Sequence, residues 1–117
     1  MNQDIEITGT SLIYKISGEL DDHVAIKSRE RIDDILLRRS IKNIVFDFSE
    51  LTMMDSAGIG LIIGRYRVIK DRGGEIVIVV GDSPAKKILK MSGLFKLFKA
   101  YDSMDAALTA VEHRIYG

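Results

Sequence analysis

The sequence has no cysteine among its 117 residues. That removes disulfides, thiol nucleophiles and sulfur ligands for zinc, and it fits a reducing, cytoplasmic setting. Only two histidines are present, His23 and His113, far apart in sequence. No metal is expected from so thin a ligand supply. Net charge is missing as well, since 17 Lys and Arg balance 17 Asp and Glu. A general nucleic-acid binder would carry a basic footprint, so none is expected here, although a local charged patch remains compatible. No apolar run approaches the roughly 20 residues that span a bilayer. The longest candidate, "IGLIIG", runs straight into Arg65 and Arg67. The opening "MNQDIEITGT" lacks the basic n-region of a signal peptide. The expectation is a chain without membrane, nucleic acid or cofactor.

What is present reads as one α/β domain over residues 1–117, long enough to bury a core without staples. "DIEI" and "SLIYKIS", separated by "TGT", predict an antiparallel hairpin. "GELDD" breaks that pattern. From Asp22 to about Arg39, Val24, Ala25, Ile32, Ile35 and Leu36 follow helical spacing. "KNIVFDFS" and "EIVIVVG" are continuous apolar strands, so both faces should be covered. A second helix spans Asp55 to Asp71, with Ile59, Ile62, Ile63, Tyr66 and Ile69 inward and Arg65, Arg67, Lys70 and Arg72 on the solvated side. Gly73-Gly74 stops it. Ser83-Pro84 reads as the cap and first residue of a third helix that ends at Ser92-Gly93. "LFKAY" is a short strand, and Met104, Ala107, Leu108, Val111 and Ile115 mark a fourth helix. The order β-β-α-β-α-β-α-β-α implies a mostly parallel sheet with right-handed crossovers and an antiparallel edge hairpin.

The stretch "MMDSAGIGLIIGRY" raises a question, because glycines cost a helix roughly 1 kcal/mol each against alanine. In an open α/β sheet the loops after the carboxyl ends of strands form the ligand and partner edge, which places Ser56 on that rim. It also places Ser56 at a helix N-terminus, where free N–H groups and about half a positive charge favour an anion such as phosphate. Gly58 and Gly60 would leave the hydroxyl uncovered. Alternatively, Asp55 or Ser56 is only a cap and the glycines only ease packing. Asp21 and Asp22 reach the same rim if the second and third strands are parallel, either as caps of the first helix or as partner contacts. His23 reads as an exposed first-turn residue rather than a catalyst.

"MMDSAGIGLIIGRY", with "GELDDH" upstream and "MSGLFKLF" downstream, resembles the STAS domain of bacterial anti-sigma factor antagonists, most nearly the sporulation antagonists. In segment order the resemblance covers nearly the whole chain. It implies a single STAS domain with about four helices, and a partner switch rather than an enzyme. The serine directly after the aspartate, Ser56 here, would be phosphorylated by a partner that is both anti-sigma factor and serine kinase. A serine phosphatase would restore the unmodified form, which binds the anti-sigma factor and so frees a sigma factor. Family members commonly carry a second serine where this chain has Ala57. The partner surface expected on this basis comprises Asp21, Asp22, Asp55, Ser56, Gly58 and Ile59.

Other chemistries fit poorly. The residue two before Ser56 is Met54, so the G-x-S-x-G nucleophile elbow is absent. "VGDSPAKK" lacks P-loop spacing. The remaining alternatives are an antagonist serving a general-stress sigma regulator, and a scaffold or nucleotide-sensing module that is never phosphorylated.

Overall fold

The computed structural model describes residues 3–116, with side chains through Val111. Ile115 and His113 therefore lie outside the described side chains. The chain opens with β1 (Gln3–Thr8) and β2 (Ser11–Ile16), paired antiparallel with Thr8 opposite Ser11. Ile5 and Ile7 face the core from β1, while Asp4, Glu6 and Thr8 face water, as an edge strand requires. Next come β3 (Gly18–Leu20), α1 (Asp22–Arg38), β4 (Asn43–Asp47), β5 (Leu51–Met54), α2 (Ser56–Asp71), β6 (Ile76–Val79), α3 (Pro84–Ser92), β7 (Lys99–Tyr101) and α4 (Met104–Tyr116).

Five strands form one sheet in the order β1-β2-β4-β6-β7, parallel except for β1. Every residue of β4 and β6 is buried, as the unbroken apolar runs predict. One face carries Leu12, Tyr14, Ile44, Phe46 and Ile78 into a core completed by α1, α2 and α3. The opposite face carries Ile13, Val45, Val77 and Val79 against Ala107 and Val111 of α4. The α/β class, the hairpin and the four helices match the sequence expectation.

Two strands were not anticipated. β3 and β5 pair parallel as a separate two-stranded sheet, with Leu20 opposite Met54. At three and four residues they are too short to display an alternating pattern, and "GEL" and "LTMM" read as connections. "LFKAY" is also shorter as a strand than expected: Leu97 and Phe98 follow a 3₁₀ turn at Leu94–Lys96, and the strand begins at Lys99.

The α2 face is rotated from its predicted position. Its buried residues are Gly58, Leu61, Ile62, Arg65 and Ile69, whereas Ile63 is exposed. Arg65, expected in solvent, is only 8% exposed and lies against α1. Its Nε is 3.0 Å from Asp33 Oδ1, while Nη1 has no hydrogen-bond partner. Burial lowers its pKa, opposed by the Asp33 charge. Arg72 is not a solvated residue either: its guanidinium donates to the carbonyls of Leu36 (2.7 Å), Ile41 (3.0 Å) and Arg39 (3.4 Å), closing the end of α1. A basic residue in an amphipathic pattern is assigned to water by default, and nothing local reveals that the neighbouring helix supplies acceptors. Gly74 has a tighter duty than stopping α2, because a Cβ there would fall 1.6 Å from the Lys42 carbonyl oxygen.

The Asp33–Arg65 pair yields a stability prediction. Removing one partner of a buried pair leaves an uncompensated charge, at a cost of 3–5 kcal/mol when both groups are fully buried. Asp33 keeps 47% of its side chain exposed, so screening reduces that figure. Asp33→Ala is expected to cost about 1–2 kcal/mol, while Arg65→Met, which fills the same space without charge, is neutral or stabilising. Urea midpoints read both. Asp33→Ala melting with the parent protein would show that water, not Asp33, compensates the guanidinium.

Candidate functional site

The unanticipated β3–β5 pair builds the site. Because Leu20 stands opposite Met54, the residues that follow, Asp21 and Asp55, emerge side by side. The Asp55 N–H donates to the Leu20 carbonyl (3.3 Å) and closes the pair at this end. Each aspartate then caps a helix. Asp21 Oδ1 accepts from the Val24 N–H (3.0 Å) at the start of α1. Asp55 Oδ1 accepts from the Ala57 N–H (2.8 Å) at the start of α2. Two helix N-termini therefore point out of the molecule next to each other, and β2 runs parallel to β4 as the rim argument required.

Capping by Asp55 frees Ser56. The serine is the first residue of α2, it is exposed, and its hydroxyl has no hydrogen-bond partner among the described residues. Other serines at this end differ. Ser49 Oγ donates to Asp47 (2.7 Å), Ser83 is buried and donates to the Val80 carbonyl (2.7 Å), and Ser103 Oγ accepts from the Ala106 N–H (3.2 Å) as the cap of α4. Asp22 and His23 are exposed in the first turn of α1, His23 as expected.

Gly58 is a correction. It is buried, and a Cβ built on it would lie 2.7 Å from Met54 Cε and 2.9 Å from Leu20 Cδ2. Its missing side chain lets α2 settle onto the β3–β5 pair; it does not hold open a surface for a partner. The open glycines of α2 are Gly60 and Gly64, where a Cβ would meet nothing within 4 Å. With Ser56 they fall at i, i+4 and i+8 on the outward face, a spacing visible in the sequence but overshadowed by the nearer Gly58. Ile59 is half-buried against the core.

The charge around Ser56 has two opposed sources. Each helix N-terminus contributes about half a positive charge. Glu19, Asp21, Asp22 and Asp55 contribute carboxylates on the same short segments. Among the described residues no group of His, Cys, Asp or Glu could hold a metal ion, and no helix is long and apolar enough to cross a membrane. A cavity of about 360 Å³ lies between Tyr66, Lys70, Leu97 and Lys99, at the opposite end of α2 from Ser56, and has no part in this constellation.

Residues 2–107 match the sequence profile of the STAS domain. The chain belongs to the STAS family. It is 42% identical over 101 residues, 86% of either protein, to an anti-sigma F factor antagonist of Paenibacillus polymyxa. An anti-sigma-B factor antagonist of Listeria monocytogenes is 25% identical over 68% of either protein. Among solved structures, the anti-sigma factor antagonist SpoIIAA in its unphosphorylated form superposes at a TM-score of 0.84, with 25% identity over 95% of this chain and 96% of that one. SpoIIAA of Bacillus in its phosphorylated form superposes at 0.74, with 25% identity over 93% and 98%. These STAS relatives are antagonists of anti-sigma factors.

Proposed function

We propose that this STAS protein is an anti-sigma factor antagonist of the SpoIIAA type, switched at Ser56. The unmodified protein binds an anti-sigma factor that is also its serine kinase, and so releases a sigma factor. Phosphate on Ser56 dissociates that complex, and a serine phosphatase reverses the modification. The observation that carries this reading is the Ser56 hydroxyl: exposed, unpartnered, and first in a helix whose cap is already supplied by Asp55. The solved relative that exists in both unphosphorylated and phosphorylated forms supports it.

A phosphoserine adds about −1.5 to −2 charges at neutral pH. A helix N-terminus stabilises such charge by about 0.3–1 kcal/mol, so the fold tolerates it. A partner seated over Ser56 must instead bury an uncompensated dianion next to Asp21, Asp22 and Asp55, which costs several kcal/mol. Every 1.4 kcal/mol is tenfold in affinity, so charge alone dissociates the complex without a change of shape. Asp21, Asp22 and Asp55 set the acidic surroundings, Ile59 supports the helix from the core, and the partner's closest approach is over Ser56 and Gly60.

The greater similarity to a sigma-F antagonist than to a sigma-B antagonist favours the sporulation class over general stress. Incubation with the anti-sigma F kinase and ATP should add one phosphate to the intact mass, and peptide mapping should place it on Ser56. Phosphate on Ser49, Ser83 or Ser103 would refute the site. An unchanged mass would favour the unphosphorylated scaffold.

A further inference from the structure

Zero net charge conceals a strong segregation. From Ser83 to Tyr101 the chain carries Lys86, Lys87, Lys90, Lys96 and Lys99 and no acid, leaving 12 cations against 17 acids elsewhere. Of these five lysines only Lys86 has an ion pair among the described residues, to Asp102 at 3.8 Å. The same segment displays apolar side chains to water: Met91 is 77% exposed, Leu97 55% and Phe95 41%. They flank the left-handed turn at Gly93, which is pinned from inside by buried Leu94 and Phe98. Phe98 stands edge-on to Tyr66 of α2, with ring centroids 5.4 Å apart. The display is therefore held by packed residues rather than being a loose tail.

We propose that α3 and its 3₁₀ turn form a second docking surface, which grips an acidic, apolar-studded segment of the same anti-sigma partner that reads Ser56. The inference rests on the antagonist function proposed above. Charge complementarity selects the occupant's chemistry: clustered lysines around Met91 and Leu97 call for carboxylates around aliphatic side chains. Continuity selects the partner. α3 packs on β5, the strand that leads into Asp55 and Ser56, so one partner can cover both.

The two surfaces differ in what phosphate does to them. α3 starts at the rim and Met91 lies about 10 Å farther along its axis. Charge interactions through solvent fade over a Debye length of about 8 Å at physiological ionic strength. Contacts at the Met91 end of α3 are thus largely blind to the state of Ser56, whereas Lys86 and Lys87 lie in the first turn, nearer the rim. The contacts at the Met91 end supply affinity common to both forms, while the rim supplies the difference between them.

The test uses the anti-sigma F factor of Paenibacillus polymyxa, whose antagonist is the 42% identical relative, and calorimetric titration of the full chain. Met91→Glu/Leu97→Glu changes only exposed positions and should keep its circular dichroism and melting. It should weaken binding at least tenfold, by a similar factor in the parent and in a Ser56→Asp background. Leu37→Glu, at a still more exposed position on α1, should bind as the parent does. A folded Met91→Glu/Leu97→Glu protein that binds like the parent would overturn the docking surface while leaving the antagonist reading intact. No binding by the parent would overturn that reading and this inference with it. Parent protein bound by phosphatidylglycerol vesicles, and released by the same substitutions, would overturn the protein occupant in favour of a membrane.

Discussion

Ser56→Ala should be locked in the binding form. The substitution removes only an exposed hydroxyl with no partner, and the cap of α2 belongs to Asp55, so stability should change by less than the roughly 0.5–2 kcal/mol of a true capping residue. Incubation with kinase and ATP should leave its mass unchanged, and the anti-sigma factor should remain bound when the parent protein has been released. Ser56→Asp should bind more weakly than the parent with unchanged circular dichroism. One carboxylate supplies about half the charge of a phosphate, so its loss of affinity should be smaller than that of the phosphorylated protein. Ser56→Asp binding with parental affinity would reject charge as the agent of release.

Gly58→Leu should damage the fold, whereas Gly60→Leu should damage only recognition. Gly58 faces Met54 and Leu20, and a leucine there must push α2 away from the β3–β5 pair. Overpacking of this kind costs about 1–3 kcal/mol, and each 1 kcal/mol lowers the melting temperature of a domain this size by roughly 4 °C. Gly58→Ala is milder, because the two nearest atoms it meets are ends of flexible side chains and alanine favours helix by about 1 kcal/mol. Gly60 has open space, so leucine there should melt at or above the parental temperature yet obstruct the partner. Melting curves and binding titrations on the pair decide. A Gly58→Leu protein with parental melting and a Gly60→Leu protein with parental affinity would together invalidate the assignment of packing to one glycine and access to the other.

The parts legible in the sequence were those governed by periodicity and punctuation. The all-apolar runs of β4 and β6, the Ser83-Pro84 helix start and the position of Ser56 just after a capping aspartate all follow from local chemistry. The parts that were not legible depend on partners distant in the chain. β3 and β5 are strands only because they pair with each other. Arg65 is buried only because α1 offers Asp33. Gly58 and Gly60 are indistinguishable as residues; the rotation of α2 on its support gives one to the core and the other to the surface.

The pairing of β3 with β5 also acts as a ruler. Neighbouring strands lie about 4.8 Å apart, so the spacing at which the two chains leave the sheet toward Asp21 and Asp55 is set by backbone hydrogen bonds rather than by side-chain conformation. A partner meeting this rim encounters two prongs at a separation that thermal motion of individual side chains does not alter. Its own complementary groups must be built to the same interval, and a mismatch in spacing is penalised before any charge is compared. Related antagonists with the same acids on differently spaced prongs would then be told apart by geometry, which offers coexisting switches of this kind a way to avoid cross-talk.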